Sequence, residues 1–147
     1  MFSLDPMNAR LLVVLGIATT LSAFAQSKGY DTLGPLDGDQ NPMPVIERVK
    51  KFVITHWQQH RRGYVEFTLY SKEGEPTTSR WYIEPSADGR WQIRGSSHSI
   101  YSDRRMVGDP HKQPDRHVSR SFVAVRVQAH SGHLRLTDSS GKEADSL

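Results

Sequence analysis

The chain has no cysteine in any of its 147 positions, which excludes a disulfide framework and the thiol that a bacterial lipid anchor requires. It has no Asn-x-Ser/Thr acceptor for N-glycosylation either. Together the two absences lean away from a small secreted eukaryotic domain and toward the bacterial envelope. No apolar run reaches the roughly 20 residues of a membrane helix. Neither sign of charge dominates: 19 Lys and Arg stand against 16 Asp and Glu, for a net charge of +3. So modest an excess fits contact with acidic groups and makes nucleic acid a poor partner. A calcium loop is missing too. Residues 37–41 begin like one, but Pro42 stands where its glycine belongs and Arg48 where its bidentate Glu belongs.

What is present begins with an export signal. Met7-Asn8-Ala9-Arg10 supplies a positive n-region, residues 11–25 an apolar run, and Ala23-Phe24-Ala25 a small-x-small cleavage site. Residues 1–25 are therefore expected to be a cleaved signal peptide, with Met7 as a second candidate start. The mature protein would be periplasmic or extracellular, with no membrane span, and would keep its charge because Asp5 and Arg10 leave together. Residues 26–41, rich in Gly, Asp and Pro, read as a flexible arm. Residues 42–137 read as a single domain, and the polar residues 138–147 as a disordered tail.

Asn41 before Pro42 is a good helix start: an N-cap side chain, then a proline where a missing N–H costs nothing. Val45, Ile46, Val49, Phe52, Val53 and Trp57 share one arc of about 140°, so residues 42–62 are predicted to form an amphipathic helix with Gly63 as its cap. Strand signals follow at once. Residues 64–70 alternate Val65, Phe67 and Leu69 with polar positions, and residues 80–94 form a hairpin about a turn at residues 85–89. Centring that turn on Ala87 pairs Ile83 with Trp91, Trp81 with Ile93 and Arg80 with Arg94. Centring the preceding turn on Gly74 pairs Val65 with Ile83 and Phe67 with Trp81. Both registers put Val65, Phe67, Trp81, Ile83, Trp91 and Ile93 on one face, the surface on which the helix should rest.

Further on, Gly95-Ser96-Ser97 suggests a bulge or bend, and residues 102–120 lack periodicity and read as a long loop. Residues 121–129 resume the alternation with Val123, Val125 and Val127 facing one way. Ser131-Gly132 then fits a two-residue turn that pairs His130 with His133 and Val127 with Leu136. The expected fold class is α+β, one long N-terminal amphipathic helix packed on an antiparallel meander of about five or six strands.

Candidate sites come from three places. On the polar sheet face, Arg80 directly opposite Arg94 is unfavourable unless an anion lies between them, and Tyr82 beside them offers a platform for a sugar-like ligand. Arg104 and Arg105 in the long loop extend that basic character. His56 and His60, four apart on the helix, have the spacing by which a helix offers two imidazoles to zinc, with His98 or His117 as a third ligand. No Glu follows His56, so the metalloprotease pattern is absent. His130 facing His133 could clamp a metal, although a pair at a hairpin tip is also ordinary turn surface. Ser96, Ser97 and Ser99 beside His98 lack the glycine-flanked elbow of a hydrolase nucleophile.

The leading expectation is an exported, non-enzymatic binding or adaptor protein of the bacterial envelope, needing no cofactor. Its partner would be an anionic ligand or another envelope protein. The alternatives are a zinc module or hydrolase built on His56 and His60, and an oligomeric structural protein joined through a sheet edge.

Overall fold

A computed structural model of the chain describes residues 29–147, and the expected signal peptide lies outside them. The first strand, β1, is Asp31–Asp37, within the segment expected as a flexible arm. Helix α1, Pro42–Gln59, follows it rather than opening the fold. Asn41 caps the helix as expected, its side chain accepting from the Met43 N–H, with proline in the first turn. The helix ends three residues early, because His60 adopts the left-handed conformation (φ 49°) and its N–H bonds back to the last turn. Gly63 is not the cap. It opens strand β2, Gly63–Tyr70, directly under the helix, where a Cβ would lie 2.9 Å from the Phe52 ring. Its value is close approach.

The remaining strands are β3 (Pro76–Pro85), β4 (Trp91–Tyr101), β5 (Arg116–Ala124), β6 (Arg126–His130), β7 (His133–Thr137) and β8 (Glu143–Ser146). They form two sheets, β1-β2-β3-β4-β5 and β6-β7-β8. The fold is α+β, but the single meander is replaced by two sheets, and β1 joins β2 in parallel across the α1 crossover. The polar tail expected to be disordered instead carries β8, which pairs with β7.

The register differs from the expectation by two residues in both large hairpins. Val65 faces Trp81, Phe67 faces Ser79, and Ile83 faces Ile93. A slip of two keeps every side chain on its own face, since the strand period is two. The apolar face is therefore the expected one: Val65, Trp81, Ile83 and Ile93 are fully buried with Phe67 nearly so, under Val45, Val49 and Val53 of the helix. Leu134 and Leu136 of the second sheet complete the core. Trp91 is partly buried at its margin, with His60 stacked on its ring at 5.2 Å.

Gly95 does not mark a bulge, for β4 is regular through it. It lies between Trp81 and Phe122 in neighbouring strands, and the Phe122 ring occupies the space its side chain would take, 2.2 Å from a would-be Cβ. Phe122 in turn meets the Trp81 indole edge-on at 6.0 Å. The stretch expected to run as one strand over residues 121–129 breaks at Val125. Ala124 pairs with Ile93 in the first sheet, and Arg126 pairs with Thr137 in the second. Val123 is consequently 45 % exposed on the uncovered face, while Val127 packs against the core. The hairpin of β6 and β7 has the expected register, His130 against His133 and Val127 against Leu136.

Candidate functional site

Alternation along β2 to β5 sends one set of side chains away from the helix, onto a sheet face that is polar. Its first cross-strand row is Tyr64, Tyr82, Arg94 and Val123; its second is Glu66, Arg80, Ser96 and Ser121; its third is Thr68, Thr78, His98 and Ser119. The two-residue slip leaves the faces intact but replaces every neighbour within this one. Arg80 lies opposite Ser96 and Arg94 opposite Tyr82, so the expected like-charge pair is not formed. Each guanidinium has a carboxylate of its own, Arg80 Nε on Glu66 Oε2 at 3.2 Å and Arg94 Nε on Glu84 Oε1 at 3.0 Å.

Those carboxylates are held from a second side. Tyr64 donates to Glu66 at 2.5 Å, and Tyr30 donates to Glu84. Desolvation pushes the Glu66 carboxyl up, but the Tyr64 hydroxyl and the Arg80 guanidinium outweigh it and hold it below the ordinary carboxylate range. The phenols move the opposite way. Burial, with the hydrogen bond to Glu84, raises Tyr30 to about 12, and burial with the hydrogen bond to Glu66 raises Tyr64 as well. Arg94 lies 5.0 Å from the centre of the Tyr82 ring, and Tyr30 meets that ring edge-on at 5.9 Å. This end of the face is a network of three tyrosines, two carboxylates and three arginines, the third being Arg62 over the Tyr30 ring at 5.9 Å.

The other end carries small hydroxyl side chains instead. Thr78, Ser96, Ser97, Ser119 and Ser121, together with Arg80, His98 and Arg120, line an open trough of about 520 Å³. Short side chains on adjacent strands leave the trough because neighbours on either side are long. His98 is fixed across it: Nδ1 meets Ser119 Oγ at 2.9 Å, and Nε2 meets His117 Nδ1 at 3.1 Å. Sequence reasoning missed this constellation, having left residues 116–120 in a loop. The alternation His117, Ser119, Ser121 against Val118, Arg120, Phe122 was the available signal.

The helix histidines are put to other uses. His56 is buried, its Nδ1 donating to the Phe52 carbonyl at 2.8 Å and its Nε2 3.0 Å from Asp31 Oδ2. That contact, with burial opposing it and Arg61 assisting, lowers Asp31 below the usual carboxylate range. His60 leaves the helical spacing at its left-handed cap and stacks on Trp91. With both nitrogens of His56 engaged and His60 turned away, the two do not form a zinc pair. His98 and His117 lie on the opposite side of the sheet from them. Among the described residues, no three His, Asp or Glu side chains gather as a metal site.

Arg105 is held inside its own loop by Asp103, whose oxygens also accept from the Arg105 and Gln113 amides. Backbone N–H donors from Gln113 and Arg105 keep the Asp103 carboxyl below its ordinary value. Arg104 is exposed beside it. Neither joins Arg80, Tyr82 and Arg94 in a shared contact. No helix among the described residues is long and apolar enough to cross a membrane. No protein-family model, curated protein or solved structure matches this chain.

Proposed function

We propose that the protein is an exported envelope binding protein, not an enzyme, whose uncovered sheet face holds a hydroxyl-rich ligand bearing an acidic group, of the kind found in anionic glycans. The hydroxyl-lined trough beside the tyrosine platform carries this reading. Hydroxyl side chains supply donors and acceptors in a shallow groove, and the Tyr64 and Tyr82 rings, 4.8 Å apart with Arg94 over Tyr82, border it with aromatic surface. Arg80 uses Nε and one Nη for Glu66, which leaves the rest of its fork for an acidic group of the ligand. Because the face balances its own charges, it selects by shape and hydrogen bonding first and by charge second.

Export rests on the n-region, apolar run and Ala23-Phe24-Ala25 site of the sequence. Protein recovered from the periplasm or medium should have Gln26 as its first residue; an intact Met1 or Met7 start there would overturn export by cleavage. For binding, calorimetry with neutral and uronic-acid oligosaccharides is the direct test. The acidic sugars are expected to bind more tightly, and Ser121→Leu, which fills the trough, to abolish binding with the fold unchanged. Equal binding by the filled variant, or no binding of either sugar class, would overturn the reading.

A further inference from the structure

His98 and His117 are brought together from β4 and β5 on the exposed face, ring nitrogen to ring nitrogen, at 3.1 Å. A late transition metal binds imidazole at about 2.0–2.1 Å, so two cis nitrogens on one ion stand about 2.8–3.4 Å apart. The observed spacing is already that bite. The rings meet nearly head-on, 5.3 Å between centres, so each must swing by about 40° to aim its lone pair at a common point about 2.0–2.1 Å away, and both side chains are exposed and free to do so.

We propose that His98 Nε2 and His117 Nδ1 form an open, two-imidazole site for a divalent transition-metal ion, with Cu²⁺ the preferred occupant. Copper leads the affinity order for nitrogen ligands, and a cis pair with its other positions left to water suits its tetragonal geometry. Ser119 is the positioning residue. In the proposed site its Oγ, 2.9 Å from His98 Nδ1, takes the acceptor role, which selects the tautomer whose Nε2 lone pair is free for metal, the role that carboxylates and carbonyls take behind metal-bound histidines elsewhere. In that tautomer His117 Nδ1 donates to His98 Nε2 when no metal is bound; on binding, the His117 proton moves to its own Nε2. His98 and Ser119 also line the trough, but the site stands whether or not the trough holds a sugar.

The test is titration of tag-free protein with Cu²⁺ in a non-coordinating buffer, followed by calorimetry and by electron paramagnetic resonance. Wild type should take one equivalent with a two-nitrogen signature. His98→Ala and His117→Ala should each lose that equivalent while the near-UV spectrum of the fold is kept. Ser119→Ala should weaken it about tenfold. The double variant His130→Ala, His133→Ala, which removes the other cross-strand pair, should leave it intact. No stoichiometric uptake by wild type, survival of the equivalent in His117→Ala, or its loss in the His130, His133 double variant would each overturn the assignment. Sugar binding is not needed for any of these readouts, so failure here is distinct from failure of the binding reading.

Discussion

The two faces of the five-stranded sheet are made from the same strands, residue by alternate residue, yet they are held in different ways. Under the helix, Val65, Trp81, Ile83 and Ile93 are dry and pack without directional bonds. On the far side, Tyr64, Glu66, Arg80 and Arg94 are pinned by hydrogen bonds and ion pairs whose partners are individually specified. Apolar burial scales with area and tolerates a change of neighbour. A hydrogen-bonded pair does not, because removing one member leaves the other unsatisfied. One face is therefore defined by what it excludes, and the other by who sits beside whom.

Adjacent residues 95 and 96 offer the sharpest way to separate the faces. Gly95→Ala drives a methyl into the Phe122 ring on the covered side and should cost about 1–3 kcal/mol in denaturant unfolding. Ser96→Ala, one residue on and facing the trough, should change stability by less than about 0.5 kcal/mol. Equal costs would break the distinction. A smaller effect belongs to the phenols. Tyr30 titrates normally near 10.0 when unfolded and at about 12 when folded. The stability it contributes is complete below pH 10 and disappears as pH rises through 12. Melting temperature should fall across that window by the equivalent of about 1 kcal/mol after solvent screening, and Tyr30→Phe should flatten this part of the profile. A small effect is also expected of Arg80→Gln. Its partner Glu66 keeps the Tyr64 hydroxyl, so stability should drop by less than about 1 kcal/mol, while affinity for an acidic sugar should fall. A gain in stability would mean that Arg80 is repelled rather than paired.

The same contrast decides how much was legible in the sequence. Alternation along residues 64–70 and 80–94 assigns side chains to faces, and it identifies the buried set because a two-residue error in register returns each residue to its own side. The polar face has no such protection. Moving the register by two turns Arg80 against Arg94 into Arg80 against Ser96, and an anion trap into two satisfied ion pairs. Turn length alone could not settle this, since the turn between β3 and β4 closes through Ser86 and Asp88 side chains that bond back to Arg90. The β6–β7 hairpin was legible to the residue because a two-residue turn admits one register. β1 and β8 were hidden by composition, being edge strands whose side chains are mostly polar or exposed. His56 was placed correctly on the helix. Its partner Asp31 comes from a strand that sequence alone did not announce.

Val125 is the single residue between β5 and β6, and its N–H bonds to the Thr137 carbonyl of the second sheet. The chain thus passes from one sheet to the other with no slack, and Phe122 and Val127, on either side of the crossing, both pack against the common core. Neither sheet can open without pulling on the other's strand. The amide protons of Ile93 in the first sheet and Leu136 in the second should therefore exchange with solvent water at similar rates, as members of one cooperative unit.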